Sequence, residues 1–322
     1  MNTFDYVSAK TLSDALSTDS INRQWLAGGT DLLTLLKHNL YKPRHLVDIK
    51  RISALDGDVR PTEQGVSIGA LTTLTTLASD SLICQRYPAL AEAAGSAATV
   101  QIRNRATLAG NLLQRPRCGY FRNPDIQCWL KDGTDCPAET GHNSYHALYG
   151  DSQCRAVHPS DLAAALMVYR ADVQIVGPAG VRIAPLTEFY RLPEPDRRQE
   201  ALLSADELIV AITLPSLPTG ICSTYLKAMD RKAWAFALVG VAALVQVEQN
   251  RFSELRLVLS GVAAVPWQAV ELEQQLLGER FDSTVIDTAI ESYLQTARPL
   301  SGNGYKIALL RGLLRQVLIG RT

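Results

Sequence analysis

The first 60 residues alternate short apolar stretches with polar turns. The spacing predicts strands over 25–27 and 45–49 and helices over 9–16 and 32–37. The first strand runs directly into Gly28-Gly29, and the second helix follows at once. Glycines let a chain bend sharply and approach a ligand closely. This turn is therefore either a plain strand-to-helix connection or a place where exposed N–H groups bind an anion such as a pyrophosphate.

The next segment, 61–218, mixes strands and helices. Apolar runs bounded by glycine or proline predict strands over 65–70 and 207–215, a hairpin over 172–186, and helices over 71–78, 87–98 and 159–166. Ser160 is placed to cap the last of these helices. A second turn of small residues, Thr107 to Asn111, could also approach a ligand closely. Prolines near 218–220 indicate a domain boundary there.

The last hundred residues follow a different pattern. It predicts strands over 223–227, 237–247 and 254–260, and helices over 266–277, 282–297 and 304–319. This arrangement is typical of an antiparallel sheet with packed helices. We therefore expect an α+β protein with one domain at 1–218, built from subdomains of about 1–60 and 61–218, and a second domain at 219–322.

A loop rich in cysteine interrupts the first domain. The segment Arg115 to Asp161 holds four of the six cysteines and many glycines and prolines, so it predicts a loop. Such a long loop needs a metal centre or disulfides to hold it. The four candidate ligands have the spacing Cys-x9-Cys-x7-Cys-x17-Cys, which contains no zinc knuckle and no ferredoxin run. An iron–sulfur cluster, zinc, and disulfides or free thiols all remain open for Cys118, Cys128, Cys136 and Cys154.

Two other features of the sequence concern charge and cysteine. Between Gln101 and Arg122 there are five arginines and no acidic residue, which indicates a solvated basic face, or cations that offset a dinucleotide, a cluster or an acidic partner. Cys84 and Cys222 lie in apolar or strand-like contexts, so we expect them to be buried.

Composition and charge limit the classes of partner and the cellular locations that we expect. The 322-residue chain has a formal net charge of zero, which argues against nucleic acid or an anionic membrane as a partner. Its longest apolar run, 233–245, is shorter than the ~20 residues of a spanning helix and predicts a buried core segment. The N-terminus lacks a signal-peptide pattern. We expect a soluble protein that is cytoplasmic, or periplasmic if a partner subunit carries the export signal.

Five motifs in order resemble one family. They are Ala27-Gly28-Gly29-Thr30-Asp31-Leu32, Thr107-Leu108-Ala109-Gly110-Asn111, Pro159-Ser160-Asp161, Glu207-Leu208-Ile209 before Pro215, and Tyr225-Leu226-Lys227. Together they resemble the FAD-binding medium subunit of the xanthine dehydrogenase family of molybdenum hydroxylases. The cysteine loop resembles the [4Fe-4S] insertion, here 115–157, of bacterial aldehyde oxidoreductases. The resemblance implies a two-part FAD-binding domain of the vanillyl-alcohol-oxidase/PCMH type, followed by a carbon-monoxide-dehydrogenase-flavoprotein-like α+β domain.

The resemblance also implies a role for each matching residue. The FAD pyrophosphate would lie on the main chain of Leu26, Ala27, Gly28, Gly29, Thr30, Asp31, Leu32, Leu33 and Thr34. The other side of the dinucleotide would be held by Thr107, Gly110 and Asn111. Asp161 would bind the polar part of the flavin, Ile209 would pack on its ring, and Lys227 would favour its anionic reduced form. The metal ligands would be Cys118, Cys128, Cys136 and Cys154.

The implied function is electron transfer. A large partner subunit with a molybdenum cofactor would oxidise an aldehyde to a carboxylic acid. A small partner subunit with [2Fe-2S] clusters would pass the electrons to FAD on this chain, and from there to an external acceptor, in a heterotrimer or a dimer of it. We expect no catalytic residue here, because no nucleophile or acid/base pair stands out. Three alternatives remain: a subunit like that of 4-hydroxybenzoyl-CoA reductase or another molybdenum hydroxylase, a free-standing flavin oxidase, and a zinc-stapled scaffold.

Overall fold

The strands form three separate sheets. A computed structural model of the chain describes residues 1–18, 22–231 and 235–320. Its strands are β1 (Asp5–Ser8), β2 (Arg23–Leu26), β3 (His45–Asp48), β4 (Val59–Thr62), β5 (Gly65–Gly69), β6 (Asp172–Gly177), β7 (Gly180–Pro185), β8 (Leu208–Pro215), β9 (Cys222–Ala228), β10 (Val239–Glu248), β11 (Arg251–Ser260) and β12 (Trp267–Gln268). The sheet orders are β1-β3-β2, β4-β5-β8-β6-β7 and β12-β11-β10-β9.

The helices before residue 218 have at most nine residues, whereas the last two helices have 12 and 15. The helices are α1 (Leu12–Ser17), α2 (Leu32–Lys37), α3 (Leu74–Ser79), α4 (Ser81–Arg86), α5 (Pro88–Ser96), α6 (Val100–Arg103), α7 (Leu108–Leu112), α8 (Gly119–Arg122), α9 (Asp161–Val168), α10 (Leu186–Phe189), α11 (Val270–Leu276), α12 (Ser283–Leu294) and α13 (Tyr305–Ile319). No helix among the described residues is both long enough and apolar enough to cross a membrane.

The N-terminal unit is a small parallel sheet. β3 pairs in parallel with both β1 and β2. The helix α1 between β1 and β2 begins with a capping box, in which Thr11 and Asp14 exchange hydrogen bonds between side chain and main chain. Val47 and Ile49 are buried in a core that also contains Leu208 of β8. The parallel unit is thereby packed against the second sheet.

The second sheet is antiparallel throughout and carries helices on its buried face. Ile68, Val173 and Ile212 on β5, β6 and β8 are fully buried, together with α9, whose residues are all buried. Ser160 caps α9 by accepting a hydrogen bond from the N–H group of Ala163, as predicted. This core continues into the third sheet through Ala242 and Leu244.

The C-terminal part confirms the predicted antiparallel sheet with packed helices. β10 pairs with β9 and β11 along its length. Leu310, Leu314 and Val317 form the buried face of α13, as the helical spacing predicts. The predicted apolar run 233–245 begins outside the described residues, and its later part forms the buried strand β10. The mixed α+β architecture expected from the sequence is therefore present.

Several details differ from the sequence predictions. The elements that were not predicted are short, with two to six residues each: β1, β4, β12, α4, α6, α7, α8 and α10. The predicted helix 266–277 is in fact the strand β12 followed by α11. The expectation that Cys84 and Cys222 are buried is wrong, since both side chains are exposed. Local apolar context does not reveal which side of a short helix or an edge strand faces solvent.

The N-terminal unit packs closely against the main chain before α7, and Gly28 lies at the contact. A Cβ atom added to Gly28 would lie 1.9 Å from the carbonyl oxygen of Arg105. The chain after β2 therefore packs directly on the main chain before α7. Glycine is required at this position because any side chain would push the two segments apart.

Substitution Gly28→Ala tests this close packing. We expect the free energy of unfolding to fall by about 1–3 kcal/mol, because the new methyl group displaces main chain rather than a flexible side chain. Chemical denaturation of the full chain measures the change. Gly312→Ala in α13 is the matched control: its Cβ meets nothing within 4 Å, so a gain of about 0.5–1 kcal/mol in helix stability is expected. Equal effects of the two substitutions would contradict the packing argument.

Candidate functional site

Two adjoining cavities, which share lining residues, form a groove between the N-terminal unit, the second sheet and the C-terminal sheet. The larger has a volume of about 500 Å³ and the smaller about 210 Å³. Four residues line both cavities: Thr30, Asp31, Gly110 and Gln114. The two predicted turns therefore meet at the junction of the cavities, and a long ligand with two ends could lie across it.

The groove gathers most of the residues that the sequence singled out. The larger cavity is lined by Thr30, Asp31, Thr34, Gly110, Asn111, Asp161 and Lys227. The smaller is lined by Ala27, Gly28, Gly29, Thr30, Asp31, Leu32, Thr107, Gly110 and Ile209. Leu26 and Leu33 line neither cavity. Leu26 ends β2, and its carbonyl accepts a hydrogen bond from the N–H group of Ile49, while the side chain of Leu33 is exposed.

The turn after β2 presents a row of unused main-chain donors. In the described part of the chain, no N–H group from Gly28 to Leu32 donates a hydrogen bond to a protein acceptor. Gly29 has a φ angle of +74°, which lets the turn curl. Consecutive N–H groups without protein partners form a concave surface that suits an anion. The arrangement fits a phosphate-bearing ligand.

The second turn uses its main-chain donors within the protein, since Leu108 and Ala109 donate to the carbonyl groups of Thr72 and Ala70. The Thr107 hydroxyl accepts a hydrogen bond from the N–H group of Gly110, and the Thr107 carbonyl accepts one from Asn111. The Asn111 side-chain oxygen accepts a hydrogen bond of 2.6 Å from the Ser160 hydroxyl. The Thr107–Asn111 turn is thereby rigid, and it offers a ligand side-chain groups rather than main-chain N–H groups.

A buried ion pair lies at the wall of the larger cavity. Lys227 Nζ is 2.7 Å from Asp161 Oδ2, and both side chains are almost fully buried. The Tyr225 hydroxyl donates a 2.6 Å hydrogen bond to the other carboxylate oxygen of Asp161. Burial and the Asp161 charge raise the pKa of Tyr225 well above its usual range, which keeps this donor protonated. The positive charge of Lys227 is therefore already balanced, and removing either partner of such a pair costs about 3–5 kcal/mol.

A carboxylate–arginine network connects the glycine turn to the cysteine loop. Asp31 Oδ1 is 2.8 Å from Arg117 and 2.7 Å from Arg122. A separate ion pair joins Arg115 to Glu200 at 2.6 Å. Burial lowers the pKa of Arg117 to about 10, and Asp31 opposes that shift. One explanation for the arginine run is a solvated basic face. These three arginine side chains are largely buried and ion-paired, so that explanation does not apply to them.

The four loop cysteines have free thiols, and three of them, Cys118, Cys128 and Cys154, pack in one hydrophobic cluster. Burial is the main cause that raises the pKa of Cys118, to about 11, with Cys128 and Cys136 adding to the shift. Burial also raises the pKa of Cys154, again with a contribution from Cys136. All six cysteines of the chain are unpaired, so the disulfide alternative is not observed.

The loop cysteines do not form a site for one metal ion. Across residues 1–18, 22–231 and 235–320, no three His, Cys, Asp or Glu side chains lie close enough to hold a single ion. Cys118 Sγ instead lies 3.3 Å from His146 Nε2. Burial lowers the pKa of this histidine, which favours its neutral form. Cys118 and His146 also line the larger cavity, so the loop forms part of the groove wall.

The far side of the loop is attached to the start of α13. The fully buried Lys306 donates hydrogen bonds to the carbonyl groups of His146 and Gly261, at 2.9 and 2.8 Å. Asn303 donates to His146 and Ala147, both at 3.0 Å. Buried carbonyl groups need such donors. The loop is therefore fixed from two sides, by α13 and by Asp31.

Sequence reasoning missed several residues of this site. Glu200 and His146 were not singled out, and Tyr225 was named only as part of the motif around Lys227, although each contacts a predicted residue. The signal in the sequence was weak: a lone acidic residue distant from the arginine run, a tyrosine two positions before Lys227, and one of five histidines. Only the fold brings them to the groove.

Comparisons with known proteins identify the family to which the chain belongs. The family model for the FAD-binding domain in molybdopterin dehydrogenase matches residues 2–217. The model for the carbon monoxide dehydrogenase flavoprotein C-terminal domain matches residues 224–320. The two matches together cover nearly the whole chain.

Individual relatives are similar over their full length. The chain is 38% identical to the aldehyde oxidoreductase FAD-binding subunit PaoB of Escherichia coli strain K12, over 99% of this chain and 98% of the relative. It is 27% identical to the carbon monoxide dehydrogenase medium chain of Hydrogenophaga pseudoflava, over 98% and 96%. A solved structure of carbon monoxide dehydrogenase from the same organism has the same fold, with a TM-score of 0.77 at 24% identity, covering 98% of this chain and 96% of that one. The chain therefore belongs to the FAD-binding medium subunits of the xanthine dehydrogenase and carbon monoxide dehydrogenase family, and it is an oxidoreductase subunit.

Proposed function

We propose that this chain is the FAD- and [4Fe-4S]-binding electron-transfer subunit of a molybdenum-dependent aldehyde oxidoreductase. The observation that carries the proposal is the groove in which two family motifs meet beside a thiol-rich loop. A flavin supplies two-electron and one-electron redox chemistry, and the protein supplies binding, orientation and electrostatics. This function needs no substrate acid/base pair on this chain.

Each part of the groove suits one part of FAD. The N–H groups of Gly28 to Leu32 would hold the pyrophosphate, because they have no protein acceptor. Asn111 would contact the dinucleotide from the second turn. Asp161 and Lys227 would lie beside the polar part of the flavin, and Ile209 would pack on an apolar surface of the cofactor.

The loop thiols suit an iron–sulfur cluster. Cys118, Cys128 and Cys154 pack in one hydrophobic cluster, and Cys136 lies in the same loop. Four-cysteine ligation is the usual arrangement for a [4Fe-4S] cluster, and bound iron would stabilise thiolates that burial otherwise disfavours. A cluster of several iron atoms also needs its ligands farther apart than a single ion does, which is compatible with the missing one-ion site.

The proposed partners are a large molybdenum-cofactor subunit and a small [2Fe-2S] subunit. PaoB carries the description of an FAD-binding subunit of aldehyde oxidoreductase, and the Hydrogenophaga pseudoflava relative is a medium chain. On this chain, electrons from the partner [2Fe-2S] clusters would reach FAD and leave for an external acceptor. We place the domain boundary near residue 218, between the two matched family regions.

Cofactor content of the purified full chain tests the proposal. We expect flavin absorbance with about one FAD, and about four iron atoms per chain. Substitution of any of Cys118, Cys128, Cys136 or Cys154 by serine should reduce bound iron, while FAD supplied at saturation should still bind, because the proposed pyrophosphate site is the main chain of the glycine turn. Metal analysis and the visible spectrum measure both.

The remaining two cysteines supply the matched control. Cys84→Ser and Cys222→Ser should keep iron and flavin at wild-type levels, because both side chains are exposed and remote from the loop cysteines in sequence. Zinc without flavin in the wild-type chain would support the scaffold alternative and refute the proposal. Flavin bound without any metal would refute the proposed cluster but not the proposed FAD binding.

The Asp161–Lys227 pair gives a second prediction. Asp161→Asn leaves Lys227 as an uncompensated positive charge beside the flavin, so the midpoint potential of bound FAD should rise. Lys227→Met leaves an unbalanced carboxylate and should lower it. Potentiometric titration followed by flavin absorbance measures both shifts.

The double variant is the control for this charge argument. Asp161→Asn combined with Lys227→Met removes both charges, so the potential should return close to the wild-type value. Shifts of the same sign in the two single variants would mean that loss of packing, and not charge, controls the flavin.

A further inference from the structure

Asp31 belongs to both halves of the site. Its N–H group is one of the unpartnered donors of the glycine turn. Its carboxylate accepts a 2.9 Å hydrogen bond from the N–H group of Arg115 and ion-paired contacts from Arg117 and Arg122. The side chain is only 13% exposed, and the residue lines both cavities. One residue therefore presents its main chain to the groove and its side chain to the start of the cysteine loop.

Arg122 completes the connection to α2. Besides Asp31, it donates hydrogen bonds to Thr34 Oγ1 at 3.0 Å, to the Pro116 carbonyl at 2.8 Å and to the Arg115 carbonyl at 3.0 Å. The planar guanidinium thus joins the helix after the glycine turn to the chain that enters the loop. Cys118 lies in that chain, between Arg117 and Arg122, and lines the larger cavity.

The charges make Asp31 the centre of the network. Glu200 pairs with Arg115. In the ion pairs of the described residues, Asp31 is the one carboxylate that contacts Arg117 or Arg122. Because both guanidinium groups share it, a change in the position of this carboxylate moves both of them, together with the segment around Cys118.

We propose that Asp31 is a positioning residue that couples the two cofactor sites, so that FAD in the groove and a cluster in the loop each favour binding of the other. This rests on the proposed function. A ligand that accepts hydrogen bonds from the turn fixes the main chain at Asp31, and hence the direction of its carboxylate. The arginines then hold the chain around Cys118. Such coupling is reciprocal, because each ligand shifts the affinity for the other by the same factor.

The coupling is measured as a ratio of FAD dissociation constants. Full-length chain is prepared with its iron and after removal of iron by oxidation with a chelator, and FAD is titrated into each after the flavin is removed. In the wild type, FAD should bind more weakly to the iron-free chain, by a factor within the usual range of about 5–150. In Asp31→Asn the FAD dissociation constants of the iron-loaded and iron-free chain should be nearly equal, even if both differ from the wild-type values.

A second variant and a matched control separate coupling from general loosening. Arg122→Lys keeps the charge but cannot span the same acceptors, so the ratio should also fall. Glu139→Gln breaks the 2.6 Å ion pair with Arg155 inside the loop and leaves the Asp31 network intact. It should keep the wild-type ratio.

Proteolysis of the iron-free chain tests whether FAD binding in the groove in turn orders the cysteine loop. Saturating FAD should slow cleavage of the iron-free loop, residues 118–154, in the wild type and not in Asp31→Asn. A wild-type chain that binds iron and FAD with a ratio of one would overturn the coupling and leave the proposed function intact. If Asp31→Asn kept the wild-type ratio of FAD dissociation constants, Asp31 would not be the residue that couples the two sites. A chain with no iron would refute the proposed cluster, and this inference with it.

Discussion

The site depends on the contact between Gly28 and the main chain at Arg105. A Cβ at position 28 would lie 1.9 Å from the Arg105 carbonyl oxygen, so the two segments touch without any side chain between them. This contact places the turn after β2 directly beside the Thr107–Asn111 turn. Two segments about 80 residues apart then form one groove, with free main-chain donors on one side and a rigid helix start on the other.

The charged side chains of the groove are paired with one another, and the cluster of Arg117, Arg122 and Asp31 keeps one positive charge in excess. Lys227 is neutralised by Asp161, Arg115 by Glu200, and the pair of Arg117 and Arg122 shares Asp31. Buried ions are tolerated only when they are paired and hydrogen-bonded in this way. These paired side chains hold the turn, the loop and the C-terminal sheet together. Lys306 differs from them: it donates to carbonyl groups of the cysteine loop and its neighbour, and burial lowers its pKa to about 7.

The sequence was most informative where local rules dominate. The glycine turn, the Ser160 cap and the apolar face of α13 each follow from short-range spacing, and the structure has all three. The partners of Asp31 could not be predicted, because Arg117 and Arg122 lie far along the chain and only the fold brings them near. The exposure of Cys84 and Cys222 was missed for a related reason: burial depends on what packs over a short element, and sequence context does not show that.

Amide hydrogen exchange of the full chain tests the central claim most directly. With FAD bound, exchange at Gly28 to Leu32 should slow strongly, because these N–H groups gain acceptors that the protein does not supply. Exchange at Gly110 and Asn111, which already donate to Thr107, should change much less. FAD bound at saturation with unchanged exchange from Gly28 to Leu32 would contradict the account.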